Sequence, residues 1–497
     1  MRDSIRIVRR GRIVEIDDIK PTETLLDYLR LRERAVGTKE GCNEGDCGAC
    51  TVVIGEWQDG RVVYRPVNSC IQFLGAMDGK EIVTVEDIAW PDGRLHPVQQ
   101  AIVDAHGSQC GFCTPGIVMS LFALYHGEGR DGPPPREEIV TALAGNLCRC
   151  TGYRPIVDAA VAAMAGPPAD RFVEAMAQTA GLLQFLADGQ DVFLGSNSAF
   201  FAAPVSLSAL AQLVMKYPEA TLLAGGTDVG LRVTKAMRPI SQVIHVGRVA
   251  ALRQIEDVGD ALILGAGVTY EDAAAAFADL DPDLGELVRR VGSRQVRAVG
   301  TIGGNIANGS PIGDMPPALI ALGATLELAH GEDGRALPLE DYFIAYGKQD
   351  RQPGEFVAGL LVPKLGPNQV FRAYKISKRF DEDISAVMGA FRFTIEDGVI
   401  TEARIAFGGM AATPKRALHA EARLSGAQPA RAASWGAAIE ALGEDYAPIS
   451  DMRASAAYRM ETAKALLAKA LVECAGAPTS RTRVIGRREA PEEAEVV

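Results

Sequence analysis

The sequence predicts a multidomain α+β protein. Three observations carry that reading. The 497 residues amount to two to four domains, at about 150 residues each. A hairpin, a helix and three more strands precede a run of short helices, after which strands and helices alternate. Eight of the nine cysteines lie between Cys42 and Cys150, and Cys474 stands alone. The composition, 47% hydrophobic and 23% charged, is that of an ordinary globular chain. A net charge of −12 argues against nucleic acid or an anionic membrane as partner.

Residues 1–86 open with alternation: Ile5 and Ile7, then Ile13 to Ile16, flank Arg10-Gly11 as a hairpin. Leu25, Leu26, Tyr28, Leu29 and Leu31 give a short amphipathic helix opened near Thr22 and Thr24. Strands follow at 51–54, 61–64 and 81–85, and the set reads as a small α+β domain of ferredoxin type. Residues 87–166 form an all-α domain of four helices. Pro97 starts the first, stopped at Gly107, and Pro115 opens the second. Arg136 to Ala144 form the third, and Pro155 starts the fourth, closed by Gly166-Pro-Pro168. Residues 167–200 have weak helical periodicity and read as a linker, one long enough to be partly ordered on a neighbour's surface. Strands at 221–224, 242–246 and 261–264 alternate with helices in 201–366, and an α+β domain spans 367–476. The acidic tail, 477–497, is expected to be disordered, its Arg481, Arg483, Arg487 and Arg488 solvated.

The N-terminus is basic but has no apolar core behind it, so it does not read as a secretory signal. No stretch is long and apolar enough to span a membrane. A cytoplasmic setting is the expectation, and clustered cysteines in a reducing compartment point to metal or redox chemistry.

Cys42, Cys47, Cys50 and Cys70 follow C-x4-C-x2-C-x19-C, whose first three members have plant-type 2Fe–2S spacing. Such a cluster needs four converging thiolates and backbone N–H groups aimed at sulfur. Gly41, Gly45 and Gly48 let the loop wrap closely. A zinc knuckle, and with it a structural or interaction protein, is the competing reading, although zinc favours paired C-x2-C units. Cys110, Cys113, Cys148 and Cys150 form a second set, C-x2-C-x34-C-x-C, at helix ends. A redox dithiol at Cys110 and Cys113 would leave Cys148 and Cys150 unexplained.

Downstream, Leu222, Leu223 and Ala224 run into Gly225, Gly226, Thr227, Asp228, Val229 and Gly230. Consecutive N–H groups in such a turn can form an anion nest for a pyrophosphate. A second segment, from Thr301 through Gly303, Gly304, Asn305, Asn308 and Ser310 to Asp314, combines glycines with hydrogen-bonding side chains. Neither is a G-x-G-x-x-G fingerprint, and purely structural turns are the alternative. The histidines at 96, 106, 126, 245, 330 and 419 show no metal spacing and are expected at helix ends or on the surface. Cys474 reads as a small hydrophobe.

Gly41-Cys-Asn-Glu-Gly-Asp-Cys-Gly-Ala-Cys50, Gln109-Cys-Gly-Phe-Cys-Thr-Pro-Gly116 and Gly145-Asn-Leu-Cys-Arg-Cys-Thr-Gly-Tyr-Arg-Pro155 resemble the iron–sulfur module of the molybdenum hydroxylases. The resemblance covers residues 1 to about 475. It implies a plant-type ferredoxin-like β-grasp domain, a four-helix iron–sulfur domain, a vanillyl-alcohol-oxidase-like (PCMH) FAD domain and a C-terminal α+β flavoprotein domain. It also implies two 2Fe–2S clusters, with Gln109 and Cys150 facing the pterin of a molybdenum cofactor. The two glycine segments are similar to the family's FAD loops, although Gly-Gly-Thr-Asp stands where animal xanthine dehydrogenases have Gly-Asn-Thr-Glu. Lys375 to Ser385 resembles a segment over the reactive side of the flavin, which makes Lys375, Glu382 and Asp383 flavin-side candidates, with a solvated loop as the alternative. The order of modules is similar to the small subunit of bacterial two-subunit xanthine dehydrogenases. That implies molybdopterin on a partner large subunit, a dimer of heterodimers and electron delivery through both clusters and FAD to NAD. The same fusion acting on an aldehyde or N-heterocycle is the alternative within the family.

Overall fold

The structure, a computed structural model, describes residues 1–127 and 132–483. The chain divides into two compact units: Met1–Ala250 with Gly292–Gly300, and Ala251–Val291 with the chain from Thr301 onward.

In the first unit, β1 (Ile5–Arg9) and β2 (Arg12–Ile16) form the expected hairpin through Arg10 and Gly11. They join β3 (Thr51–Gln58), β4 (Arg61–Asn68) and β5 (Glu81–Val83) in the order β2-β1-β5-β3-β4, with β1 and β5 parallel. Helix α1 (Leu25–Asp27) starts where Thr24 Oγ1 accepts the Asp27 N–H at 3.0 Å, and it widens into a π turn over Tyr28–Arg32. Leu25 and Leu29 are buried in the core beneath the sheet, and Leu26 packs on Cys50, Cys70 and Ile71. Four helices follow: α2 (Pro97–Asp104), α3 (Thr114–Tyr125), α4 (Arg136–Leu143) and α5 (Arg154–Ala163). Helix α3 is buried on every side from Gly116 to Tyr125, so it is the axis of this domain.

The expected linker, 167–200, is structured. It forms α6 (Arg171–Glu174), α7 (Met176–Leu186) and β6 (Val192–Ser196). Asp170 Oδ1 caps α6 by accepting the Phe172 and Val173 N–H groups, both at 2.9 Å. Leu183 and Leu186 join the core that β3, β4 and α3 share. Strand β6 leads into a sheet of order β6-β7-β9-β8, with β7 (Ala199–Ala203), β8 (Thr221–Leu223) and β9 (Gln242–His245), accompanied by α8 (Leu207–Lys216) and α9 (Val229–Thr234). Residues beyond 200 continue in the same unit. Phe73, Leu74 and Met77 pack with Val192, Leu194, Phe201, Leu223 and Val243 in one core, so residues up to 250 belong with the iron–sulfur modules.

His96 and His126 lie at helix ends, as expected, whereas His245 ends a strand in the interior. His96 is fully buried and His245 is 5% exposed. His96 Nε2 lies 2.6 Å and His126 Nε2 2.9 Å from the same Asp170 Oδ2. His96 Nδ1 accepts the Val98 N–H at 3.1 Å, so the ring proton resides on Nε2 and points at Asp170. That tautomer makes the trio a hydrogen-bonded staple between α2, α3 and α6 and leaves His96 no lone pair for a metal.

In the second unit, one sheet runs Ile255–Asp257, Ala261–Gly265, Phe356–Pro363, Thr325–His330, Asp333–Pro338 in spatial order. Another runs Gln369–Ile376, Val387–Glu396, Val399–Gly408, Lys415–Arg416 and packs against the helix Ala456–Cys474. Cys474 is half-buried at the edge of that core. The expected disordered tail is corrected over 477–483. Thr479–Thr482 is helical, and the Arg483 guanidinium bonds the buried Asp283 carboxylate at 2.9 Å and Glu473 at 2.6 Å. The remainder of that segment, 484–497, lies outside the described residues.

Candidate cofactor sites

The first sulfur set sits in the loop between the π turn and β3, with Cys70 just after β4. Cys42 and Cys47 are paired: each backbone N–H donates to the other's Sγ at 3.3 Å, and the Glu44 N–H adds a bond to Cys42 Sγ at 3.4 Å. Cys50 and Cys70 are the second pair, with sulfurs 3.3 Å apart. The hydrogen bond within each pair splits the two thiols. It pulls Cys42 down to about 5 and pushes Cys47 up, and likewise lowers Cys50 and raises Cys70. Two sulfur pairs, the first already bonded by N–H donors, are the donor set that two irons of a 2Fe–2S rhomb require. The glycines behave as expected. A Cβ on Gly41 would lie 2.7 Å from Cys47 Sγ, and one on Gly48, at φ +68°, would lie 2.0 Å from the Gly145 carbonyl oxygen.

The second set pairs Cys113 with Cys148 and Cys110 with Cys150. Burial and the bond to Cys148 push the Cys113 thiol up to about 12. Against some burial, hydrogen bonds from Thr151 and Cys113 hold Cys148 low, and the bond to Cys110 raises Cys150. Cys113 caps α3, and the 148–150 turn is held by Tyr153. The Tyr153 hydroxyl accepts the Cys148 N–H at 2.6 Å and donates to the Asn146 carbonyl at 3.1 Å, while its backbone sits at φ +65°. That left-handed conformation costs about 1 kcal/mol or more in a non-glycine residue, so the surrounding turn must enforce it. Cys110 and Cys150 are exposed, as are Gln109, Phe112 and Leu147 beside them.

The two loops touch directly. The Leu147 N–H donates to the Cys47 carbonyl at 3.0 Å, so a cysteine of each set is one residue or less from a shared hydrogen bond. Buried Asn146 reinforces the contact. Its amide donates to the Gly48 carbonyl at 3.1 Å and Thr51 Oγ1 at 3.2 Å and accepts from Ser120 at 2.6 Å and Gln295 at 3.1 Å. Gln295 arrives from the short helix Arg294–Arg297, which returns to this unit from far along the chain. Sequence reasoning missed Gln295, because nothing near it in the chain has cluster chemistry.

The first glycine segment belongs to this unit as well. Gly225 to Asp228 form the turn between β8 and α9. Gly226 is at φ +74°, and a Cβ on Gly225 would fall 1.8 Å from the Val299 carbonyl oxygen. Among the described residues, the N–H groups of Gly226 through Val229 donate to no backbone carbonyl, as an anion nest requires. Asp228 is exposed and makes no cap bond.

The second glycine segment is in the other unit. Thr301 Oγ1 accepts the Gly304 N–H at 3.0 Å and so caps the helix Ile302–Asn308, which commits both groups locally. Gly303 is needed because a Cβ there would meet Ala266 at 2.5 Å. Asn305 Oδ1 is buried without a hydrogen-bond partner, an orphaned acceptor of the kind a bound ligand satisfies. Lys375 Nζ and Ser385 Oγ both reach Asp314, each at 2.5 Å, so Lys375 and Asp314 form a buried pair. Asp383 instead accepts the Arg379 and Ile384 N–H groups, at 2.8 and 2.9 Å, within its own turn, and Glu382 is buried at φ +50°.

Four family models match in order: a 2Fe-2S iron–sulfur cluster binding domain over residues 8–71, a [2Fe-2S] binding domain over 84–161, the FAD binding domain in molybdopterin dehydrogenase over 196–365, and the CO dehydrogenase flavoprotein C-terminal domain over 372–474. The chain belongs to the molybdenum hydroxylase family. It carries two 2Fe–2S binding domains and an FAD-binding domain, a set that equips it for electron transfer. Xanthine dehydrogenase of Blastobotrys adeninivorans is 31% identical over 80% of this chain, and that of Drosophila subobscura 33% identical over 81%. The chain spans about a third of the length of these curated relatives, 35% and 34%. Among solved structures, carbon monoxide dehydrogenase from Hydrogenophaga pseudoflava gives a TM-score of 0.52 at 26% identity, covering 54% of this chain and 94% of the other. Reconstituted CO dehydrogenase from Oligotropha carboxidovorans gives 0.51 at 27%, covering 55% and 96%. Among the described residues, no helix is long and apolar enough to cross a membrane.

Proposed function

We propose that the chain is the electron-transfer subunit of a two-subunit xanthine dehydrogenase. In this reading it accepts electrons from a molybdopterin-bearing large subunit that oxidises hypoxanthine or xanthine, and delivers them to NAD, within a dimer of heterodimers in the cytoplasm. The observation that carries the reading is the pairing of eight cysteine sulfurs into two four-sulfur sets joined by the bond from Leu147 to Cys47. When bound, the clusters and flavin supply one- and two-electron redox chemistry that side chains cannot.

The chain's own residues hold and separate these groups. Cys42, Cys47, Cys50 and Cys70 ligate one cluster, and Cys110, Cys113, Cys148 and Cys150 the other. In the first unit, residues 222–230 are the candidates to receive the FAD diphosphate on their amides; in the second, Thr301, Gly304, Asn305, Asn308 and Asp314 are the candidates for flavin contact, taken by themselves. The Lys375–Asp314 pair, with Glu382 and Asp383, sets the charge beside the flavin. The exposed rim of Gln109, Phe112, Leu147 and Cys150, where Phe112 is 49% and Leu147 42% exposed, is the face offered to the partner's pterin.

Iron and flavin quantitation with an absorbance spectrum tests the cofactor content. A colourless, iron-free protein refutes the reading. Assay of the copurified complex with hypoxanthine and NAD tests the substrate. Turnover of an aldehyde or carbon monoxide, without NADH formation from purine, reassigns the chain to another member of the family, which the likeness to carbon monoxide dehydrogenases makes the second reading.

A further inference from the structure

We propose that Gln72 is a positioning residue for the flavin: it fixes the 225–229 turn against the plant-type cluster loop, so that FAD retention depends on a side chain two residues from a cluster ligand. The proposal rests on the reading above that this turn receives the FAD diphosphate.

Gln72 is 3% exposed, and a buried amide must find partners. Its Nε2 donates to the Gly225 carbonyl at 2.8 Å. Its own backbone carbonyl accepts the Leu25 N–H at 2.8 Å, so the donor is anchored on the side of α1. The neighbouring residue closes the contact from the same direction. A Cβ on Gly230 would lie 2.7 Å, and one on Gly226 3.0 Å, from the Ile71 carbonyl oxygen. Leu231 of α9 then packs on Leu26, Cys50, Cys70 and Ile71. Val299 presses on Gly225 from another side. The glycine turn is therefore moulded by protein on two sides, and one of them is the segment that begins at Cys70.

The hydrogen bond has a directional consequence. In a trans peptide the N–H points opposite the C=O. Gln72 holds the Gly225 carbonyl, so the Gly226 N–H of the same peptide is turned away from Gln72. Without the donor, that peptide is free to rotate, and the anion nest loses its fixed first amide.

The test uses the full chain, with its partner where one copurifies, stripped of flavin and titrated with FAD. Gln72→Met keeps the shape and removes the donor. It is expected to weaken FAD about fivefold, the effect of one lost hydrogen bond. ADP, which carries the diphosphate without the isoalloxazine, is expected to weaken as a competitor by the same factor, while iron content and the plant-type cluster's EPR signal stay unchanged. Gln72→Glu sets a carboxylate against a carbonyl. It is expected to be worse than Met at pH 8 and to recover towards wild type at pH 5.5, where the protonated acid donates again. A packing role would give no such pH profile. Wild-type affinity in Gln72→Met, a pH-independent deficit in Gln72→Glu, an effect on FAD without one on ADP, or loss of iron from Gln72→Met each overturns the proposal. A wild-type chain that binds no FAD refutes the underlying reading instead, before any variant is made.

Discussion

Asn146→Ala is expected to destabilise the first unit by about 3 kcal/mol, and the figure follows from its partners. Four hydrogen bonds disappear: to Gly48 at 3.1 Å, to Thr51 at 3.2 Å, from Ser120 at 2.6 Å and from Gln295 at 3.1 Å. Two of the groups left behind have other partners. The Gly48 carbonyl still accepts from Thr51 at 2.7 Å, and the Gln295 amide still reaches Thr51 and Ser120, both at 3.2 Å. The Ser120 hydroxyl, 1% exposed, loses its acceptor in a place water cannot reach. The cost is therefore about 2 kcal/mol for the lost bonds and about 1 kcal/mol for the stranded hydroxyl. For a unit of this size, that lowers Tm by about 6–12 °C. The assay is thermal unfolding of the iron-loaded chain, followed by circular dichroism and by bleaching of the cluster absorbance. Both clusters should bleach in the same shifted transition, because Asn146 ties the Gly48 turn to the Leu147–Cys148 turn. A Tm within 2 °C of wild type, or bleaching of one cluster alone, refutes the idea that this amide joins the two cluster loops.

Glu81 gives a pH dependence. Burial pushes its carboxyl up to about 7, against the bond it accepts from Tyr64. The folded state then keeps a proton that the unfolded chain releases above about 4.5, so stability falls as pH rises from there to about 7 and levels off beyond it. Glu81→Gln should remove that decline and gain roughly 3 kcal/mol at pH 8, read by urea unfolding across pH; an unchanged slope counts against it. Lys375→Met strands the Asp314 carboxylate, which is 8% exposed, and should cost about 3–5 kcal/mol in the second unit, recovered in part by adding Asp314→Asn. A double-mutant cycle without coupling would contradict the pairing. Cys42→Ser should halve the iron, from about four to about two per chain, and erase only the plant-type EPR signal; loss of both signals would mean that the two sets do not load independently.

What could be read from the sequence was local, and what could not was a matter of partners far along the chain. The cluster cysteines carry their chemistry in residue type and short spacing, and hairpin and helix starts carry theirs in Gly11, Thr24 and Pro97. The elements within 167–200 were not legible because their order comes from elsewhere: Asp170 is held by His96 and His126, and Leu183 and Leu186 by a core built from β3, β4 and α3. Gln295 and Gln72 were invisible for the same reason, their partners lying 149 and 153 positions away. The glycine turn at 225–230 carries a constraint that its motif does not announce. Gly225, Gly226 and Gly230 look like a loop cleared for a phosphate, yet their missing Cβ atoms make room for Val299 and Ile71. On the proposed reading two constraints act on these positions, one from the ligand and one from the neighbouring chain: Val299 at Gly225, and Ile71, next to Cys70, at Gly226 and Gly230. A substitution that spared the ligand would still have to displace the cluster segment. The turn is therefore expected to tolerate change at Thr227 and Asp228, which already carry side chains, far better than at its glycines; comparable loss of FAD from Asp228→Ala and Gly230→Ala would show that the ligand alone sets the constraint.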